Sequence, residues 1–227
     1  MFQVLYMWSG NASGITFPSD SAITVGGSSS IQLLVLQVHY IDNSNIDPLI
    51  GDSSGVLVHY HSSPKPKYNV GIFSLHNHGI AKANGLSSWE SACHLNIPKS
   101  EFPLIPFAFL THTHQLGIFS GGWIIRNGKW ILIGKANPQD PQSFYPVIRD
   151  LEITAKDIVA MRCIMSSGRN QETFQGLSKH SEMCDYFVMY KTRGDLLSDN
   201  SCTTNSTFTW QNFGLVKEDL YNKNDSP

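Results

Sequence analysis

Residues 122–133 read GWIIRNGKWILI, and this stretch decides the fold class. Two runs rich in β-branched and aromatic residues flank the pair Asn127-Gly128, which supplies the two positive-φ positions of a type I′ turn. Such a turn joins two antiparallel strands with the twist that a sheet requires. We therefore predict a tight β-hairpin at this point of the chain.

The rest of the chain has the same character. Short segments rich in Val, Ile, Phe, Tyr and Trp alternate with clusters of Gly, Pro, Ser and Asn, a pattern typical of many short strands joined by turns. No segment shows a sustained 3.6-residue apolar period. We predict an all-β fold, an antiparallel β-sandwich of jelly-roll type. The other expected strands are residues 31–40, 55–61, 107–114, 157–166 and 182–190.

The domain boundaries are predicted from where the alternation of strand-like segments and turns begins and ends. Residues 1–25 are expected to be a lead-in that belongs partly to a preceding domain. Residues 26–207 are expected to form the jelly-roll domain, and residues 208–227 a polar tail that is poorly ordered at its end. The first residues lack the charged and apolar regions of a signal peptide, which is also the expectation for a fragment.

Composition and charge exclude several classes of protein. Of the 227 residues, 41% are hydrophobic, which is enough for a buried core and excludes wholesale disorder. Sixteen Lys and Arg balance 18 Asp and Glu, so the net charge is -2 and neither nucleic acid binding nor a polybasic membrane arm is expected. No run of about 18 apolar residues could span a bilayer.

Four cysteines at wide spacing are typical of two disulfides and therefore of an oxidising compartment. No two of them form a CxxC pair, so a zinc ribbon is not expected, and the spacing leaves all three pairings open. Sequons at Asn11 and Asn205 predict glycosylation. We expect a secreted protein or one of the secretory-granule lumen. The cysteines are Cys93, Cys163, Cys184 and Cys202.

Three pairs of histidines have i, i+2 spacing: His59/His61, His76/His78 and His112/His114. On a strand such residues share a face, so each pair could present two imidazoles to one metal ion. His112 and His114 have the best context, because Thr111 and Thr113 alternate with them and would face the other way. A methionine as third ligand would favour copper, since soft sulfur suits Cu(I). The late strands contain Met161, Met165, Met183 and Met189.

Several motifs in order resemble a known family. They are LQVHY at residues 36–40, THTHQLG at 111–117, EMC at 182–184, and a stretch over residues 126–147 with RNGKWILIG, NPQ, PQ and FYPV. Together they resemble the copper type II, ascorbate-dependent monooxygenases, over about residues 5–202. The stretch over 126–147 is more similar to the peptidylglycine-hydroxylating branch than to the dopamine-hydroxylating branch.

The resemblance implies two jelly-roll domains with one copper site each, of which this chain is the C-terminal catalytic domain. It implies that His112, His114 and Met183 bind the copper that activates dioxygen. His39 would complete the other, electron-donating copper site. The remaining ligands of that site would be a His-His pair in an N-terminal copper domain, and this sequence contains no His-His dipeptide. That domain is therefore an expected partner, without which the fragment is expected to be inactive.

The resemblance also implies disulfides Cys93–Cys202 and Cys163–Cys184, the second of them beside Met183. The implied reaction hydroxylates the Cα of the C-terminal glycine of a glycine-extended peptide, with ascorbate as reductant and dioxygen as co-substrate. A separate lyase would then release the peptide amide. The family has no metal ligand at the positions of His59, His61, His76 and His78. We therefore expect these four histidines to face solvent.

Three positions depart from the family where it contacts substrate. Leu110 stands in place of an arginine that holds the peptide carboxylate, and Asp185 and Phe187 stand in place of an asparagine and a tyrosine. Loss of the arginine removes a bidentate carboxylate clamp. Two alternatives therefore stay open: a related copper monooxygenase that acts on a small amine, and a non-catalytic copper-binding module, which the missing His-His pair suggests.

Overall fold

The computed structural model of this chain describes residues 4–9, 12–40, 44, 46–62, 65–97 and 102–215. These residues form twelve strands and no helix. Within them, no helix is therefore long and apolar enough to cross a membrane. The strands are β1 Ser21–Ala22, β2 Tyr68–His78, β3 Ile80–Ala81, β4 Gly85–His94, β5 Ile105–His112, β6 Gly117–Arg126, β7 Lys129–Ala136, β8 Tyr145–Pro146, β9 Ile158–Ser167, β10 Thr173–Phe174, β11 Asp185–Thr192 and β12 Ser201–Asn205.

Two main sheets make up the sandwich. The six-stranded sheet has the order β1-β2-β11-β5-β8, with β12 also paired to β2, and the four-stranded sheet has the order β4-β9-β6-β7. A small third sheet joins β3 and β10. The short strands β1 and β12 run parallel to β2, and the other pairs are antiparallel. The prediction of an all-β sandwich is confirmed, with these two parallel edge pairings added to it.

The core lies between the two sheets. Phe73 of β2 and Tyr186 and Val188 of β11 pack in one cluster with Ile124 of β6 and Val159 of β9, all of them buried. Apolar side chains on facing sheets exclude water from this layer, and that burial is the main term that stabilises the fold. The core thus holds β11 and β5 against a rigid second layer, and these two strands carry the candidate site.

The hairpin of β6 and β7 is confirmed. Asn127 and Gly128 have φ angles of 52° and 75°, as a type I′ turn requires. Gly134 of β7 lies so close to Phe109 that a Cβ would come within 2.1 Å of that ring. Tyr186 donates its hydroxyl hydrogen to the carbonyl of the same glycine at 2.9 Å. The hairpin therefore packs directly against the six-stranded sheet.

Both disulfides cross from one sheet to the other. Cys93 of β4 bonds to Cys202 of β12, and Cys163 of β9 bonds to Cys184, which immediately precedes β11. These are the two bonds that the family resemblance implies, and they account for all four cysteines. Each bond links a strand of the four-stranded sheet either to a strand of the six-stranded sheet or to the residue just before one. The two disulfides therefore connect the two sheets covalently.

Predicted strands 107–114, 157–166 and 182–190 are confirmed as β5, β9 and β11, with ends shifted by a few residues. The strands predicted over residues 31–40 and 55–61 are wrong. Both segments lie outside any strand, and Leu33 and Leu57 are 82% and 83% exposed. Their apolar content suits a strand, but a strand also needs a neighbour for its backbone hydrogen bonds, and neither segment pairs with another among the described residues.

The two ends of the described chain pack on the outer faces of the sandwich. From the lead-in, Tyr6 and Phe17 pack against a cluster on the six-stranded sheet. From the predicted polar tail, Phe208 and Trp210 pack on the four-stranded sheet, where Trp210 is buried beside Trp123. The first part of that tail is therefore docked, and residues 216–227 lie outside the described residues.

Candidate metal centre

His112 and His114 lie at the end of β5, where the chain leaves the six-stranded sheet. Thr111 and Thr113 are buried in the core, whereas the two histidines are only half-buried on the opposite face. This alternation is the one expected of an extended chain. The two imidazole rings have their centroids 5.5 Å apart at an angle of 80°. The strand end therefore presents two neighbouring rings at the surface.

A hydrogen bond fixes the tautomer of His112. Its Nδ1 lies 2.6 Å from Oε1 of Gln142, while Nε2 of Gln142 donates to the carbonyls of Thr113 at 3.0 Å and Pro138 at 3.4 Å. Because those two partners only accept, the amide must direct its oxygen at the imidazole, so Nδ1 carries the hydrogen. Nε2 of His112 is therefore the nitrogen with the lone pair.

His114 is held in the same tautomer by a different partner. Its Nδ1 lies 3.0 Å from the carbonyl oxygen of Ser181, which can only accept, so Nδ1 is again the donor. Gln139 reinforces the segment by donating from Nε2 to the carbonyls of His114 at 2.7 Å and Gly117 at 2.9 Å. Metal-binding histidines usually donate from their other ring nitrogen to a protein acceptor, and both rings have this arrangement.

Glu182 connects this strand end to the start of β11. Its side chain is completely buried and accepts backbone N–H hydrogens from Leu116 at 2.7 Å and Met183 at 2.8 Å, and also from His114. A buried carboxylate is tolerated when its oxygens are satisfied by donors in this way. One carboxylate therefore fastens the backbone of a histidine to the backbone of the methionine.

Met183 lies just before the point where β11 pairs with β5. The paired register ends at Asp185 and His112, and beyond it the N–H groups of His114 and Met183 both donate to the Glu182 side chain. The backbone N–H of Asn77 donates to the carbonyl of Cys184 at 3.1 Å, which continues the pairing of β11 with β2 by one residue. Met183 is half-buried and shares a face with Asp185.

The predicted donor set is two imidazoles and one thioether. Among the described residues, no three His, Cys, Asp or Glu side chains are grouped to hold a metal ion. Glu182 links the backbone of Met183 to that of His114, so Met183 lies near this strand end. Imidazole together with thioether suits copper, and soft sulfur favours the cuprous state.

His39 lies apart from this centre. It is exposed on the segment over residues 31–40 and does not join His112 and His114 in a group of metal-binding side chains within the described part of the chain. It would supply one imidazole to the second predicted copper site, and the His-His pair predicted to complete that site does not occur in this sequence. Of the predicted glycosylation sites, Asn205 is exposed at the end of β12, and Asn11 lies outside the described residues.

The three positions predicted to contact substrate lie on the same face as the imidazoles. Leu110 is completely buried and Phe187 is 6% exposed, both in a cluster that the lead-in residues Tyr6 and Phe17 cover. Asp185 is half-buried and directly adjacent to His112 in the sheet. Of the three, only the carboxylate retains access to the surface.

One expectation about the histidines is wrong. His76 does not simply face solvent: it is half-buried, and its Nδ1 lies 2.7 Å from Oδ1 of Asp185. The register of β2 with β11 sets these two residues side by side, a long-range pairing that i, i+2 spacing could not reveal. His59, His61 and His78 are exposed, as expected.

Sequence reasoning also missed three positioning residues. Gln139 and Gln142 belong to the NPQ and PQ motifs, and Glu182 begins the EMC motif. Their roles depend on contacts to residues between 22 and 68 positions away, which no local pattern encodes. The available signal was that all three are polar residues inside the motifs that carry the resemblance.

Fold and site together define a class of β-sandwich domains that present two neighbouring imidazoles at a strand end. Comparison with known families agrees. Residues 68–213 match the family described as copper type II ascorbate-dependent monooxygenase, C-terminal domain, and the chain belongs to this family. The resemblance drawn from the motifs is thereby confirmed.

Individual relatives fall into two groups. The chain is 35% identical over 206 residues to the peptidylglycine alpha-amidating monooxygenase of Rattus norvegicus, covering 89% of this chain and 21% of the relative. It is 38% identical over 191 residues to peptidyl-glycine alpha-amidating monooxygenase B of Xenopus laevis, with 82% and 21% coverage. It is 25% identical over 202 residues to the dopamine beta-hydroxylase of Canis lupus familiaris, with 82% and 32% coverage. The chain thus spans about a fifth of the length of the amidating relatives.

Proposed function

We propose that this domain binds copper through His112, His114 and Met183 and carries out the hydroxylating step of an ascorbate-dependent monooxygenase. The observation that supports this most is the shared tautomer of the two histidines, because Gln142 and the carbonyl of Ser181 each take an Nδ1 hydrogen. Both Nε2 lone pairs are then available to one ion. Copper bound there would supply the activation of dioxygen and its transfer to a carbon–hydrogen bond.

The residues of the chain have separate tasks in this proposal. Gln142 and Ser181 orient the imidazoles, and Glu182 fixes the distance between the strand end and Met183. The Cys163–Cys184 disulfide anchors the residue next to Met183 to the opposite sheet. Ligands held by packing and hydrogen bonds require little rearrangement when the metal binds or changes its redox state.

We propose a peptide with a C-terminal glycine as the substrate, hydroxylated at the glycine Cα as the first step of amidation. Support comes from identities of 34–38% to the peptidylglycine relatives, against 25% to the dopamine relatives. The second electron would come from another copper in an N-terminal domain to which His39 contributes, with ascorbate as the reductant. A separate lyase would cleave the hydroxylated product.

A second candidate substrate is a small amine, and one observation favours it. Leu110 is buried and has no charge to offer a peptide carboxylate, whereas Asp185 presents a carboxylate directly beside His112. A carboxylate attracts an ammonium group and repels a peptide C-terminus. The third candidate, a non-catalytic copper-binding module, is favoured by the missing His-His pair and by the exposure of His39, which joins no metal-binding group among the described residues.

The predicted compartment belongs to the proposal as well. Two disulfides between the sheets support a protein that folds in an oxidising lumen, since cytosolic thiols are kept reduced. We therefore propose the secretory pathway as the site of action. Exposure of Asn205 supports glycosylation at this position.

Ascorbate-dependent oxygen consumption by the copper-loaded chain distinguishes the candidates. The assay is run with a glycine-extended peptide, with phenethylamine and with neither, each with and without an added N-terminal copper domain of an amidating relative. Product formed from the peptide supports the proposal, and product formed only from the amine supports the second candidate. Tight copper binding without product under any of these conditions would establish the binding module instead.

A further inference from the structure

Three polar residues form a second cluster on the outer face of the six-stranded sheet, one strand away from the candidate metal centre. Ser74 and His76 lie two residues apart on β2 and therefore share a face. Asp185 of β11 is the register partner of His76 on one side and of His112 on the other. His76, Asp185 and His112 thus form a row across three adjacent strands.

Hydrogen bonds connect the three side chains in a defined order. Nδ1 of His76 lies 2.7 Å from Oδ1 of Asp185, and Nε2 of the same ring lies 2.7 Å from Oγ of Ser74. An ionised carboxylate only accepts, so in a neutral imidazole Nδ1 donates to it and Nε2 is left to accept. The hydroxyl hydrogen of Ser74 then has two acceptors, Nε2 of His76 at 2.7 Å and the carbonyl of Asn200 at 3.5 Å, of which the imidazole is the closer. This is the connectivity of a hydroxyl nucleophile, its general base and the carboxylate that orients the base.

We propose that Ser74 is a nucleophile activated by His76 and Asp185, and that the domain hydrolyses esters of short apolar acyl groups. The activity needs no copper, and its site shares Asp185 and Phe187 with the positions predicted to contact the monooxygenase substrate. Triads of this kind are identified by their geometry and occur on unrelated folds. The one GxSxG match of the chain, residues 51–55, is exposed and follows no strand, so it lacks the context of a nucleophile elbow.

A small cavity beside the cluster defines the substrate class. Its volume is about 200 Å³, and its lining includes Ser74 and His76 together with the apolar side chains of Val4, Ile72 and Phe187. This is below the range of roughly 300–1,000 Å³ typical of sites for drug-sized ligands, so it suits a short acyl chain. Asn200 lines the same cavity and carries an amide donor of the type that stabilises an oxyanion.

The reaction needs no redox partner. Oγ of Ser74 forms a bond to the ester carbonyl carbon while its proton moves to Nε2 of His76. The bond from that carbon to the alkoxide oxygen then breaks, and the departing alcohol takes the proton from His76. Water attacks the acyl carbon with His76 again accepting a proton, and cleavage of the Oγ–carbon bond releases the carboxylic acid while the proton returns to Ser74.

A fluorophosphonate probe and p-nitrophenyl acetate test the proposal on the full chain in the presence of a copper chelator. We expect the probe to label Ser74, as located by peptide mapping, and the ester to be hydrolysed. Ser74→Ala removes the label, and His76→Gln lowers the rate of labelling and of hydrolysis at least about 100-fold, the usual contribution of a general base. Ser87→Ala is the matched control, since Ser87 is a half-buried strand serine whose hydroxyl accepts from a backbone N–H instead of facing a histidine.

Folding is checked separately by the thermal unfolding midpoint of each variant, so a lost activity in a folded variant is chemical in origin. No label on Ser74, equal labelling of the His76→Gln variant, or hydrolysis that survives Ser74→Ala would each overturn the proposal. Because all measurements are made without copper, these outcomes are independent of whether the monooxygenase proposal holds.

Discussion

Nδ1 of His112 donates its hydrogen to Oε1 of Gln142 at 2.6 Å. This contact joins the end of β5 to a loop 30 residues further along the chain and decides which imidazole nitrogen is available to a metal ion. The same glutamine also donates to the carbonyl of Thr113, so it holds both the ring and the backbone of the metal-binding segment.

Gln142→Leu is expected to weaken copper binding by about 10- to 100-fold, the usual effect of losing a partner that orients a ligand. The side chain keeps much of its volume, but the ring of His112 loses its fixed tautomer. Competition titration with a Cu(I) chelator measures the affinity. Gln171→Leu, at an exposed position, serves as the control and should bind copper like the parent chain. Unchanged affinity in the Gln142 variant would show that this contact does not position the ligand.

Glu182→Gln is expected to lower both stability and copper affinity. A neutral amide has one accepting oxygen in place of two, and its NH2 group would face backbone N–H hydrogens in a fully buried site. An unsatisfied buried donor costs about 1–3 kcal/mol, which urea unfolding can resolve. Glu172→Gln, at an exposed site, should change neither quantity. Parent-like unfolding of the Glu182 variant would contradict the role of this carboxylate.

Met183→Ile should preserve the fold while abolishing ascorbate-dependent hydroxylation, assayed with an added N-terminal copper domain of an amidating relative, because the volume is nearly conserved but the thioether is lost. Met189→Leu gives the opposite result: Met189 is completely buried in β11, so the variant should lose up to about 1.5 kcal/mol of stability and retain copper. Circular dichroism and turnover assays measure the two effects. Full turnover by the Met183 variant would remove methionine from the ligand set.

His76→Ala is expected to leave the copper-to-protein ratio unchanged. Both ring nitrogens of His76 are engaged, with Asp185 and with Ser74, so neither is required by the metal centre. Atomic absorption on dialysed protein gives the ratio. Loss of copper from this variant would mean that the metal lies one strand further along the sheet than we infer.

The two disulfides should differ in what their removal does. The bond Cys93–Cys202 closes a loop of 109 residues and Cys163–Cys184 one of 21, so chain entropy predicts a larger loss of stability for the first, about 5 against about 3 kcal/mol. The second neighbours Met183, so its removal should also weaken copper binding. Paired Cys→Ala variants, compared by urea unfolding and Cu(I) titration, separate these effects. Equal copper affinity in both would argue against a positioning role for the shorter bond.

The sequence predicts the parts of the fold that depend on local chemistry. Asn127-Gly128 specifies its turn by the two positive φ angles, and the alternation of Thr111 and Thr113 with the histidines specifies which residues enter the core. Leu33 and Leu57 show the limit of this reasoning. Their segments have strand-like composition, but strand formation depends on a partner that composition does not specify.

The proposed metal ligands and the residues that position them differ in how far they can be predicted. His112 and His114 follow from spacing on one strand, and Met183 from the family resemblance. By contrast, Glu182 binds Leu116 across 66 positions, and Asp185 meets His76 across 109, so both contacts depend on the pairing of β11 with its neighbours. Only the assembled sheet shows that the row of His76, Asp185 and His112 connects the Ser74 cluster to the candidate metal centre.

X-ray absorption at the copper edge of the Cu(I)-loaded chain tests the central claim most directly. We predict a first shell of two imidazole nitrogens and one sulfur, with the sulfur scatterer missing in Met183→Ile and present in Met189→Leu. A first shell without sulfur in the parent chain, or one that keeps its sulfur when Met183 is replaced, would contradict the account.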